Sequence, residues 1–89
     1  MKYNQNSLDK LETILDECGY VYRYERGNFQ SGYCILETKK VVVLNKFLNV
    51  EGRINTVIEL LNVLPIDTTL LTPAALKTYQ EAQAKALVA

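Results

Sequence analysis

Apolar residues recur every three or four positions in three parts of the chain, a pattern that predicts three helices. The first run follows a polar cap at Asn6-Ser7 and stops at Gly19, a residue suited to the left-handed end of a helix. The second lies between Asn49, which can cap it, and Pro65, which ends it. The third starts at Thr72-Pro73. It is rich in alanine, so its apolar stripe is thin and is expected to pack lightly or to pack against a second copy of the chain. The predicted helices span about 7–18, 50–64 and 73–86.

Between the first two helices, the pattern changes to that of β-strands. Residues 20–24 alternate, with three tyrosines on one face and Val21 and Arg23 on the other. Two further strands follow on either side of Thr38-Lys39, which we interpret as a tight hairpin turn. The run from Val41 to Leu44 is apolar on both faces, as is typical of a central strand. The predicted strands span about 20–25, 33–37 and 40–45.

This order of elements predicts an α+β fold with two layers. We expect a small three-stranded, mostly antiparallel sheet, with the helices packed mainly on one face. The chain of 89 residues is predicted to form one domain, 1–89, and its hydrophobic content of 48% is ample for one core.

Charge and cysteine content bear on the compartment and the partners. The formal net charge is zero, although residues 20–53 carry six basic against three acidic side chains. The sequence shows neither a basic and apolar leader nor an apolar run of membrane-spanning length, so we expect a cytoplasmic protein that does not enter a membrane. Cys18 and Cys34 are then expected to be reduced, buried thiols, with a disulfide as the alternative.

The chain contains no histidine, and this excludes several chemistries. A histidine-assisted triad cannot form, and Cys34 has no imidazole to act as its base. The carboxylates show neither a D-x-D nor an EF-hand pattern. We therefore predict no catalytic residue, no metal site and no cofactor.

Aromatic and basic residues on the first strand are candidates for binding. Tyr20, Tyr22 and Tyr24 lie near Arg23, and such a face can stack on single-stranded nucleic acid. The alternative, which we favour, is that the tyrosines pack on a half-exposed sheet. Phe29 lies between two glycine-containing turns and could anchor either a core or a contact.

The segment from Tyr33 to Asn62 resembles the core of zincin-type metallopeptidases, most of all the ImmA/IrrE family. Val43-Leu44-Asn45 is similar to the end of that family's strand, and Ile58-Glu59-Leu60-Leu61-Asn62 falls where His-Glu-x-x-His would stand. Glu59 matches the glutamate, whereas Ile58 and Asn62 replace both zinc ligands. The resemblance therefore implies a degenerate, metal-free version of that fold.

The segment from Gly27 to Asn55 also makes the whole chain resemble a small protein family of Bacteroidetes. That resemblance implies a bacterial cytoplasmic protein and no particular mechanism.

These observations favour a non-enzymatic protein-interaction or structural module, whose partner is another protein or a second copy in a homodimer. The first alternative is a single-stranded nucleic-acid binder that uses the tyrosine face. The second is a residual hydrolase that uses Glu59. The candidate binding residues are Tyr20, Tyr22, Tyr24, Arg23, Phe29, Glu59 and Asn62.

Overall fold

The computed structural model describes residues 2–26, 33–36 and 40–88, and the side chains of 2–26 and 40–84. Three α-helices, three strands and a short 3-10 helix make up this part of the chain. In chain order they are helix α1 (Gln5–Glu17), strands β1 (Val21–Glu25), β2 (Tyr33–Leu36) and β3 (Val41–Asn45), helix α2 (Val50–Val63), the 3-10 helix Thr68–Leu70 and helix α3 (Pro73–Val88).

The three strands form one mixed sheet in the order β1-β3-β2. Strand β3 runs parallel to β1, with Tyr22 beside Val42, and antiparallel to β2, with Ile35 beside Val42. The prediction of a mostly antiparallel sheet is therefore wrong, because one of its two strand pairings is parallel. Side chains alternate with a period of two whichever way a neighbouring strand runs, so the residue pattern carries no information on strand direction.

Central placement of β3 follows from its composition. Val42, Val43 and Leu44 are all buried. A strand that is apolar on both faces leaves the least apolar surface exposed to water when it lies at the centre of a sheet. The predicted turns at 27–32 and at Thr38-Lys39, together with Glu37 and Phe29, lie outside the described residues.

Side-chain caps determine where the helices begin. Helix α1 starts earlier than predicted, because Asn4 rather than Asn6-Ser7 is the cap and accepts a hydrogen bond from the Ser7 amide at 2.9 Å. Asn49 caps α2 as predicted and accepts from the Gly52 amide at 2.7 Å. Thr72 also fulfils its predicted role, since its hydroxyl accepts from the Ala75 amide at 3.4 Å.

The core lies between the helices and one face of the sheet. Val42 and Leu44 of β3 pack there with the apolar sides of α1 and α2, and α3 joins them through Ala75, Tyr79 and Ala82. Its small side chains allow α3 to pack closely against both other helices, so the described part of its apolar stripe is covered within one copy of the chain. Fully buried side chains of this core include Leu8, Leu11, Ile14, Leu15, Leu44, Ile54, Leu60 and Leu61.

We predicted that the chain does not enter a membrane. Among the described residues, no helix is both long enough and apolar enough to cross a bilayer.

Candidate functional site

The tyrosine face of β1 points towards the helices. Tyr20 is only 6% exposed, and its hydroxyl donates a hydrogen bond to the Pro65 carbonyl at 2.9 Å. Tyr22 and Tyr24 are half-buried and pack against the core. Their rings meet edge to face, with centroids 6.4 Å apart. The three tyrosines therefore do not present open ring faces on which bases could stack.

Tyr24 joins three elements of the fold. Its hydroxyl donates a hydrogen bond to the Glu12 carboxylate of α1. The guanidinium of Arg53, in the first turn of α2, lies over the Tyr24 ring at 4.4 Å from the centroid. We call Glu12, Tyr24 and Arg53 the clamp, because together they connect α1, β1 and α2.

Arg53 is held by the backbone of the link between β3 and α2. Its Nε donates to the Leu48 carbonyl at 2.9 Å, and its Nη2 donates to the Lys46 carbonyl at 3.0 Å. The planar guanidinium is thus fixed in position while one face rests on Tyr24. The predicted helix 50–64 contains this arginine, but its packing on Tyr24 depends on contacts between residues distant in the chain.

The clamp perturbs the acidity of both its acid groups. Burial raises the pKa of Glu12, and the hydrogen bond from Tyr24 partly offsets this effect. Burial also raises the pKa of Tyr24, and the neighbouring Glu12 carboxylate raises it further. The phenol therefore stays protonated and remains a hydrogen-bond donor. Perturbed pKa values are common both in active sites and in structural networks. Since all three groups are occupied with one another, the geometry favours a structural role.

A second contact joins the end of α1 to the start of β3. The Lys40 ammonium donates to the Cys18 carbonyl at 3.0 Å and lies 4.9 Å from the centroid of the Tyr20 ring. The Cys18 thiol is buried and free, and burial raises its pKa. A protonated, enclosed thiol is a weak nucleophile. The side chain of Cys34 lies outside the described part of the chain.

Glu59 and Asn62 lie on the solvent side of α2 and do not form a site. Glu59 is exposed, and the Asn62 side-chain amide donates back to the Ile58 carbonyl at 2.7 Å. Ile58 itself is buried in the core. Across the residues that the structure describes, no group of three or more cysteine, aspartate or glutamate side chains could hold a metal ion.

A cleft of about 470 Å³ runs between α1 and α3, and the sequence patterns did not indicate it. Lys2, Lys10 and Lys77 line it together with Glu81. At one end, the Thr72 amide donates to the Glu17 carboxylate at 3.0 Å, which ties the start of α3 to the end of α1. The lysines are exposed and flexible point charges, so the cleft has no preorganised binding geometry.

Strand β1 forms an edge of the sheet, and its outward-facing side chains are exposed. Val21 is 53% exposed and lies beside the half-buried Val41, whereas Val43 further along β3 is buried. Arg23 and Glu25 form an exposed ion pair with an N–O distance of 3.6 Å. Of the two strands whose side chains the structure describes, β1 is therefore the more exposed on this outer face. The other large exposed apolar side chains of the described residues, Phe47, Val63 and Leu70, belong to other elements.

Comparison with protein-family models, with curated proteins and with solved structures finds no match to this chain.

Proposed function

We propose that this chain is a non-enzymatic protein-interaction module that binds its partner through the edge and outer face of β1. The observation that carries the proposal is the position of β1 at the edge of the sheet, with a half-exposed valine beside an ion pair. An edge strand offers unpaired backbone groups to an incoming chain, and this is a recurrent mode of peptide and protein recognition.

The chemistry of the chain is consistent with binding in place of turnover. It has no histidine, its Cys18 thiol is enclosed, and Glu59 is exposed to water. A general base needs a site that holds a substrate within its reach, and Glu59 lies exposed on the surface of a helix. The residual-hydrolase alternative therefore gains no support from the position of Glu59.

The nucleic-acid alternative depends on the tyrosine face of β1. Tyr20 is buried, and the Tyr24 ring already carries a guanidinium on one side. Stacking platforms for single strands need exposed rings beside a basic groove. The orientation of these tyrosines consequently favours a packing role over base stacking.

Site-specific photo-crosslinking tests the proposal. A benzoylphenylalanine is placed at position 21 on β1 and, as a matched control, at position 59 on the exposed side of α2. We expect position 21 to give a discrete covalent adduct, identified by mass spectrometry, and position 59 to give none. Equal adduct yields at the two positions, or no adduct at position 21, would contradict binding through β1.

A further inference from the structure

The direction of the backbone groups of β1 determines what can pair with its outer edge, which no other strand of the described residues covers. The Val21 amide donates to the Lys40 carbonyl at 2.9 Å, and the Glu25 carbonyl accepts from the Lys46 amide at 2.9 Å. Both groups face β3. Because backbone groups alternate along a strand, those of Tyr22 and Tyr24 point away from β3, towards the open edge.

Antiparallel self-pairing of this edge can be centred on any of the three inner residues of β1, and the arrangements differ in the residue on the two-fold axis. An axis at Arg23 places Arg23 directly opposite its own copy, where like charges destabilise the pair. An axis at Tyr22 places Arg23 opposite Val21, which gives the arginine no charged residue across the interface. An axis at Tyr24 places each Arg23 opposite Glu25 of the second copy and so forms two pairs of opposite charge.

We propose that the partner of the β1 edge is a second copy of this chain, paired antiparallel about Tyr24 to give a continuous six-stranded sheet. This inference rests on the proposed function of β1 as a binding edge. Backbone groups of Tyr24 would bond to those of its copy, and Tyr22 would face Arg26 across the strands. Arg23 and Glu25 already share the outer face as an ion pair, so each exchanges an internal partner for one across the interface.

The inward direction of the Tyr24 side chain makes this arrangement compatible with the clamp. The Tyr24 hydroxyl remains bonded to Glu12 and its ring remains under Arg53, since only its backbone groups face the second copy. Charged residues on an edge strand commonly prevent self-association. Here the two charges have opposite signs and a spacing of two, which makes the edge complementary to itself.

Charge exchange across the interface tests both the partner and the register. Sedimentation equilibrium of the purified full chain over a wide concentration range should show a reversible monomer–dimer equilibrium. Arg23→Glu alone and Glu25→Arg alone each place like charges opposite one another and should weaken the dimer about tenfold. The double variant Arg23→Glu/Glu25→Arg restores the opposite pairs and should return the dissociation constant to within about threefold of the original. Circular dichroism shows whether each variant is folded.

Hydrogen exchange gives a second readout on the unmodified chain. The Tyr22 and Tyr24 amides should exchange more slowly as the protein concentration rises, whereas the Val21 amide, already bonded to Lys40, should not change.

Three outcomes would overturn the inference. They are a monomer at every concentration, a dimer that the single charge variants leave unchanged, and a double variant that remains as weak as the single ones. If the chain is monomeric but position 21 crosslinks to a different protein, the proposed interaction function holds and only the choice of a second copy fails.

Discussion

The phenol of Tyr24 donates a hydrogen bond to the carboxylate of Glu12, and this contact joins the edge strand β1 to helix α1. The two residues are twelve positions apart and lie on elements of different type. Because Arg53 rests on the same ring, one side chain of β1 fixes the positions of two helices.

Removal of the Tyr24 hydroxyl should destabilise the fold. In Tyr24→Phe, Glu12 keeps its half-buried carboxylate but loses the donor, and we expect a loss of about 1–2 kcal/mol in the free energy of unfolding. Urea titration measures this value. A double-mutant cycle with Glu12→Gln should show that the two substitutions are not additive. Additive effects would mean that the hydrogen bond contributes nothing of its own.

The raised pKa of Glu12 predicts a pH dependence with a definite sign. Burial holds the folded-state pKa above the ordinary value of 4.5, so the folded protein takes up this proton at a higher pH than the unfolded chain does. The resulting stabilisation is complete below pH 4.5 and is lost as the pH rises through the folded-state value. We therefore expect Glu12→Gln to gain stability relative to the unsubstituted protein as the pH rises from 4.5 to 7, measured by urea titration at several pH values.

Asp67 supplies the matched control for this measurement. Hydrogen bonds from Thr69 lower the pKa of Asp67 below its ordinary value of 3.8. Its stabilisation is present above pH 3.8 and is lost as the pH falls through the lowered value. Asp67→Asn should therefore lower stability by a constant amount above pH 3.8 and alter the slope of stability against pH only in that acidic range. A change in the slope of stability against pH above pH 4.5 in Asp67→Asn would show that the effect assigned to Glu12 is not specific to it.

Lysine should not replace Arg53 without loss. Arg53→Lys removes the planar stack on Tyr24 and one of the two bonds to the link carbonyls, and we expect a destabilisation of about 1 kcal/mol. Arg23→Lys is the matched control, since Arg23 is exposed and its ion pair is loose. It should change stability by less than about 0.5 kcal/mol. Chemical denaturation at a concentration low enough to keep the chain monomeric measures both values.

Gly19 should be sensitive to the addition of a side chain. Its φ of +80° lies in the left-handed region, where the turn from α1 into β1 needs it. Among the described residues, a Cβ atom there would meet Lys40 Nζ alone, at 3.8 Å, so the cost comes from the backbone and not from a clash. We expect Gly19→Ala to cost about 1–2 kcal/mol and Gly19→Asn clearly less, because asparagine tolerates this conformation. Thermal unfolding of the two variants tests the order, and equal losses would contradict it.

The sequence alone was enough to indicate the elements and several of their ends. Helical spacing revealed α1 and α2, and the residues Asn49 and Thr72 indicated where two helices begin. Such features depend on neighbours within a few positions, so a linear pattern contains them. The cap of α1 was misplaced by two residues, because Asn4 and Asn6 are equally good caps and only the folded chain distinguishes between them.

Strand direction and the clamp were decided by the tertiary structure. The alternation of Tyr20, Tyr22 and Tyr24 indicated a shared face, but the same pattern suits a face turned towards helices and one turned towards water. The sequence pattern does not indicate that Glu12 and Arg53 contact Tyr24, because both contacts form only in the folded chain. Local patterns record the periodicity of each element. The parallel pairing of β1 with β3, the open edge that results and the contacts between distant side chains depend on how the elements pack together.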